Sequence, residues 1–261
     1  MLTYPEIDPI IFEIGPLAVR WYGLMYVVGF VAGWWLAKKR ARRPDSPITA
    51  EQVDDLVFYV MLGVILGGRV GYALVYGWSE LTSDPLYLFK ITEGGMSFHG
   101  GLAGVLLAMW LFGRKHGQTM WRMTDFMAPF VPIGLGTGRI GNFINGELWG
   151  KPTDLPWAFN INGVGLHPTQ LYEALLEGLV LFVILWVYSS KPRPYMAVSG
   201  LFLLLYGVFR FAVEFWRVPD AHLGYLWLDW VTMGQILSAP MIIIGAVMLF
   251  MAYRRPQEGT A

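Results

Sequence analysis

The sequence predicts an all-α polytopic membrane protein of about seven transmembrane helices, with the N-terminus outside and the C-terminus cytoplasmic. Three observations carry this expectation. Apolar residues make up 55% of the 261-residue chain, and the mean hydropathy is +0.47. Charged residues make up 15%, where a soluble domain carries about 25%. The apolar residues fall in blocks long enough to cross about 30 Å of hydrocarbon, and clusters of cations follow alternate blocks.

Residues 1–16 precede the first block and contain Pro5, Pro9 and Pro16, which argue against one continuous helix. They are expected to lie as an arm on the outer membrane surface. They lack the basic start of a cleavable signal peptide, so the first span is expected to stay, with its N-terminus exported. Spans are expected at 17–37, 56–76, 98–113, 121–137, 170–188, 197–215 and 231–253. The third and fourth are short and rich in glycine or proline. Thr49 with Gln52, and Thr232 with Gln235, have capping-box spacing, and Pro168 suits a first helical turn. Residues 17–255 thus read as a single transmembrane domain with an extracytoplasmic loop at 139–169, followed by a cytoplasmic tail, 256–261.

Cations set the orientation. Lys38, Lys39, Arg40, Arg42 and Arg43 follow the first span; Arg114, Lys115 and Arg122 separate the third and fourth. Lys191 and Arg193 separate the fifth and sixth, and Arg254 and Arg255 follow the seventh. The opposite loops hold only Arg20, Lys90, Arg139, Lys151 and Arg217. By the positive-inside rule the sparse side is exported. Basic and acidic residues balance at 19 each, so no global field points to nucleic acid. The absence of cysteine excludes a disulfide, a thiolate metal site and a cysteine nucleophile.

The run GRIGNFINGELWG, 138–150, places Arg139, Asn142, Asn145, Glu147 and four glycines directly after an apolar segment. Bare polar backbone and a fixed cation persist at the edge of hydrocarbon only where protein or a wet cavity surrounds them. Arg69 and Arg210 sit inside apolar segments, where an arginine costs about 2.5–3.5 kcal/mol on insertion scales. Helical spacing puts Tyr206 and Glu214 one turn either side of Arg210, with Arg217 at i+7. A guanidinium fork matches phosphate, and Arg139 with Arg210 suggests an anionic lipid headgroup held between them. The bland readings stay open: a structural Arg210–Glu214 pair, a structural Arg69, and a snorkelling Arg139. His99, at a glycine-rich helix start, titrates near neutral pH and suits proton transfer, although a lone histidine is more often structural. His167-Pro168-Thr169-Gln170 opens the fifth span, with Glu173 and Glu177 on one face; His167 and Glu173 read as support for the site. Tyr22 and Tyr26 lie one turn apart. Rivals are a small channel or transporter, disfavoured by the lack of an internal repeat, and a serine protease built on Ser97 beside His99.

GRIGNFINGELWG, together with Arg20-Trp21-Tyr22-Gly23, His99-Gly100-Gly101-Leu102, His167-Pro168-Thr169-Gln170-Leu171-Tyr172-Glu173 and Tyr206-Gly207-Val208-Phe209-Arg210, resembles the prolipoprotein diacylglyceryl transferases of bacterial inner membranes. The resemblance implies transfer of the diacylglyceryl group of phosphatidylglycerol to the lipobox cysteine thiol of a prolipoprotein signal peptide. A thioether and glycerol 1-phosphate would result, as the first step of lipoprotein maturation. It implies a bilayer-embedded site facing the extracytoplasmic side, no cofactor, no metal and no nucleic-acid partner. Catalytic positions fall on Tyr22, His99, Arg139 and Arg210. Phosphatidylglycerol contacts fall on Arg139, Asn142, Glu147, Gly150, Tyr206 and Arg210, with His167, Glu173, Glu214 and Arg69 in support. Some relatives carry histidine where this chain has Arg20, so no proton transfer is assigned there. His99 as general base and His99 as a headgroup-orienting group both remain open.

Overall fold

The computed structural model describes residues 1–5, 7–15, 17–90, 94–219 and 224–254; Pro16, Arg255 and the tail 256–261 lie outside them. In chain order the elements begin with strands β1 (Leu2–Thr3), β2 (Ile10–Ile14) and β3 (Leu17–Arg20). Helices α1 (Trp21–Ala41), α2 (Gln52–Val75), α3 (Trp78–Ser83), α4 (Phe98–Lys115), α5 (Met120–Met127) and α6 (Val131–Ile144) follow. After strands β4 (Phe159–Ile161) and β5 (Val164–Leu166) come α7 (Thr169–Glu173), a π-helical stretch Ala174–Val180, α8 (Leu181–Tyr188), α9 (Ala197–Val213) and α10 (Met233–Arg254). Among the described residues, three helices are long and apolar enough to cross a membrane: Gln52–Val75, Thr169–Tyr188 and Met233–Arg254. Ala197–Val213 is a shorter apolar helix. Large apolar side chains such as Phe58, Val75 and Ile243 stand exposed along them, as lipid-facing surface does.

The chain divides into two compact units. In the first, Ala37–Phe126, α2 and α4 pack backbone to backbone. Gly63, Gly67 and Gly71 recur at every fourth position of α2, and Gly100 and Gly104 do so on α4. A Cβ on Gly71 would lie 2.7 Å from the Gly100 α-carbon, and one on Gly67 would lie 2.8 Å from that of Gly104. This is the small-residue interface by which helices associate where no water is released.

The second unit joins residues 1–36 to 127–261. Gly136 of α6 meets Gly178 of the π-helical stretch, and Gly207 of α9 lies against the backbone of α10 at Ser238 and Ile242. An apolar cluster of Ala128, Leu181, Leu185 and Val198 packs under Phe202, Leu205, Tyr206 and Phe209. Two small sheets add to the helices. β4 and β5 form an antiparallel hairpin whose turn is Asn162-Gly163, both at positive φ, as a two-residue turn requires. β1 adds in parallel, pairing Leu2 with Phe159. Tyr4, which follows, donates its hydroxyl to the Phe143 and Ile144 carbonyls at the end of α6, at 2.7 and 3.0 Å.

Several helix ends shift by up to four residues from the sequence expectation, and three differences bear on the site. Residues 17–20 form β3, paired with β2, and the first helix starts at Trp21. The stretch 121–137 is two helices, α5 and α6, with Pro132 in the first turn of the second, where its missing N–H costs nothing. Helix α6 then runs through Ile144, so Arg139 and Asn142 are helical residues and not part of a loop.

Candidate active site

Helix α6 brings Arg139 and Asn142, one turn apart, into the second unit's polar interior. Its Gly141 leaves room for the Tyr22 ring, since a Cβ there would lie 2.9 Å from Tyr22 Cδ2. Tyr22 and Tyr26 share a hydroxyl contact of 2.9 Å, and the Tyr26 hydroxyl lies within electrostatic reach of Arg139 and Glu147.

The centre is an ionic network drawn from α6, α7, the π-helical stretch, α9 and the chain just beyond α9. Glu173, the last residue of α7, has no exposed side-chain surface. Its Oε1 accepts from Arg210 Nη1 and, at 2.8 Å, from Arg217 Nη1. Its Oε2 lies 2.9 Å from Arg139 Nε, an ion pair without hydrogen-bond alignment. Glu214, one turn after Arg210, pairs with Arg210 Nη2 and lies 3.1 Å from Arg217 Nε. Thr232 Oγ1 donates to the other Glu214 oxygen at 2.7 Å. Glu177 is fully buried on the π-helical stretch, 4.0 Å from Arg210 Nη1, and neither of its oxygens has a hydrogen-bond partner among the described residues. The network thus holds Arg139, Arg210 and Arg217 against Glu173, Glu177 and Glu214, equal in formal charge. π-Helical turns recur at functional sites, and this one sits between Glu173 and α8.

Arg139 differs from the other two cations. Its closest approach to Glu173 is through Nε, its terminal nitrogens make no hydrogen bond among the described residues, and the side chain keeps 23% of its surface exposed. The buried carboxylate holds the guanidinium nearby by charge, and a guanidinium fork matches the geometry of a bidentate anion.

Beyond α6 the chain turns back. Glu147 Oε1 accepts from Asn142 Nδ2 at 2.8 Å and from Asn145 Nδ2 at 3.3 Å. Gly150 bridges to Arg217, and its N–H donates to the His167 carbonyl at 2.9 Å. Only glycine fits there, because a Cβ would lie 2.6 Å from Thr169 Cγ2 and 2.9 Å from His167 Cβ. His167 Nδ1 meets the Tyr172 hydroxyl at 3.1 Å, and that hydroxyl accepts from Trp157 Nε1 at 2.8 Å. Burial, and then the nearby Lys151 ammonium, push the His167 imidazole below the usual histidine range. Tyr206 stacks on Phe202 and lies within electrostatic reach of Glu177, Arg210 and Arg139.

Of the residues singled out in the sequence, the structure gathers Arg139, Arg210, Glu173 and Glu214 into one network. Asn142 and Glu147 form a pair, Gly150 joins His167, and Tyr22 and Tyr206 border the group. His99 and Arg69 belong to the other unit. His99 is exposed at the start of α4, whose Ser97 caps the helix by accepting from the Gly100 N–H at 3.2 Å. Arg69 is buried, and its donors are taken by the carbonyls of Tyr87, Leu88, Gly94 and Gly95 while it stacks 4.5 Å from the Tyr87 ring centre. Those contacts serve the local backbone. Arg217 reads in the sequence as a loop cation; its i+7 phase with Arg210 is the signal that it belongs here.

Residues 9–251 match the sequence profile of the prolipoprotein diacylglyceryl transferase family. Among curated proteins, a phosphatidylglycerol–prolipoprotein diacylglyceryl transferase of Methylococcus capsulatus is 61% identical over 259 residues, covering 98% of this chain and 99% of its own. Proteins of the same name from Oleidesulfovibrio alaskensis and Pseudomonas aeruginosa are 58% and 57% identical, over 99% and 98% of this chain and 98% and 97% of their own.

Proposed function

The chain belongs to the prolipoprotein diacylglyceryl transferase family, and on that premise we propose that it transfers the diacylglyceryl group of phosphatidylglycerol to the lipobox cysteine thiol of a prolipoprotein. In this reading the thiol gives up its proton to water, and sulfur attacks the diacylglyceryl carbon that carries the phosphate. The C–S bond forms as the C–O bond breaks, and glycerol 1-phosphate leaves with the electron pair. Charge accumulates on the phosphate oxygens, where donors fixed in a dry pocket act more strongly than in water. Arg139 offers its fork to those oxygens, Arg210 supplies a second positive centre, and Asn142, Glu147 and Tyr206 hold the headgroup glycerol. Tyr22 borders the same pocket, and Glu173 and Glu214 hold the guanidiniums in place.

The observation that carries the proposal is Arg139: it pairs with a buried carboxylate, keeps 23% of its side chain exposed, and its terminal nitrogens make no hydrogen bond among the described residues. The alternation of basic loops supports seven helices, an exported N-terminus, a cytoplasmic C-terminus and residence in the bacterial inner membrane, with the arginines toward the extracytoplasmic side. The deciding experiment incubates the purified protein with phosphatidylglycerol and a lipobox peptide and weighs the peptide. A gain of one diacylglyceryl mass, abolished by changing the peptide cysteine to serine, is expected. Passage of solute through liposomes without that gain would sink the proposal.

A further inference from the structure

The turn that carries Glu147 is gripped by two consecutive side chains that the arginine network does not use. Thr169 and Gln170 open α7, and both are fully buried. Thr169 Oγ1 donates to the Leu148 carbonyl at 2.8 Å, and Gln170 Nε2 donates to the Glu147 carbonyl. These two carbonyls flank the Leu148 α-carbon, and Leu148 holds φ at 62°, in the left-handed region. A bulky side chain disfavours that conformation, so it persists only where surrounding contacts impose it. The Gly150 N–H, donating to the His167 carbonyl at 2.9 Å, is a third tie. Residues 147–150 are therefore laced onto residues 167–170. The lacing sets the direction of Glu147, whose carboxylate receives both Asn142 and Asn145.

We infer that Thr169 and Gln170 are positioning residues for the headgroup: they hold the Glu147–Leu148 backbone and thereby aim the Asn142–Glu147 pair at the glycerophosphate of the lipid. The inference rests on the headgroup role proposed for Asn142. The chemistry at each position is specific. Only the amide nitrogen of Gln170 can meet a carbonyl oxygen, and its Oε1 has no partner among the described residues, so the orientation is set by the bond to Glu147 alone. Glutamate at this position would set acceptor against acceptor in a buried place. Valine at 169 keeps the shape and removes the donor; serine keeps the donor.

The test is the steady-state transfer rate from phosphatidylglycerol in mixed micelles to a lipobox peptide, with the unfolding midpoint in detergent as a check on folding. Thr169→Val and Gln170→Glu are expected to raise KM for phosphatidylglycerol by about tenfold, with KM for the peptide unchanged; Thr169→Ser restores most of that loss. In an Asn142→Ala background, Gln170→Glu is expected to add less than about twofold, since both act through one contact. Full multiplication in the double variant, or a wild-type KM in Gln170→Glu, overturns the inference alone. A wild-type KM in Asn142→Ala overturns the headgroup reading and the inference with it. Should Gln170→Glu not fold, the near-isosteric Thr169→Val carries the same comparison.

Discussion

Arg217 Nη1 donates to Glu173 Oε1 at 2.8 Å, so the carboxylate that Arg210 grips is held from a second direction. Glu173 is the shared anion of three guanidiniums and has no exposed side-chain surface. Removing one member of such a buried set leaves the others uncompensated and costs about 3–5 kcal/mol. Glu173→Gln is therefore expected to lower the unfolding midpoint in detergent sharply, before any effect on catalysis is considered. An unchanged midpoint would show that the network contributes nothing to folding.

Arg139→Ala is expected to slow transfer by about a hundredfold to a thousandfold, the usual effect of removing one donor to a developing anion. Arg139→Lys returns the charge without the fork and restores only part of the rate. The measurement is lipidated peptide per unit time, normalised to membrane-inserted enzyme. A wild-type rate in Arg139→Ala would end the phosphate assignment.

Gly150→Ala puts a Cβ against Thr169 Cγ2 at 2.6 Å, His167 Cβ at 2.9 Å and the Trp216 carbonyl oxygen. A backbone carbonyl cannot step aside as a flexible side chain can. Overpacking of this kind costs about 1–3 kcal/mol. A lowered unfolding midpoint together with a raised KM for phosphatidylglycerol is expected; wild-type values for both would show that the backbone yields freely.

The lowered titration of His167 fixes the sign of a pH effect. Its imidazole stays neutral where an unfolded-chain histidine, near about pH 6.5, already takes a proton. Its contribution to stability is therefore level above that pH and declines as pH falls below it, until the folded imidazole itself protonates. Lys151→Gln removes the electrostatic part of the cause and should move the His167 titration upward, read by imidazole chemical shifts against pH. A midpoint that does not move would assign the whole effect to burial.

Arg210 and Glu214 were legible in the sequence because a charge inside an apolar segment is costly and has few reasons to persist, and Arg139 because its glycine- and asparagine-rich run stands at the edge of hydrocarbon. Which charge faces which was not legible. Glu173 read as support, yet it is the junction of the network, because that role depends on how α6, α7 and α9 come together. The helical state of 139–144 was hidden by Gly138 and Gly141, whose low propensity suggests a loop; away from water, backbone groups must be bonded internally, and the helix persists. The strand pair around Asn162-Gly163 carried a strong local turn signal inside a stretch read only as a loop. Arg69 also stands out in the sequence as a charge in an apolar segment, but its partners are the carbonyls of its own unit.

The Tyr4 hydroxyl, bonded to the last carbonyls of α6, has a practical consequence for anyone handling this chain. Trimming the first few residues, or fusing a bulky affinity tag there, would unstitch β1 from β4 and uncap the helix that bears Arg139. Expression vectors should carry their tags at the other terminus.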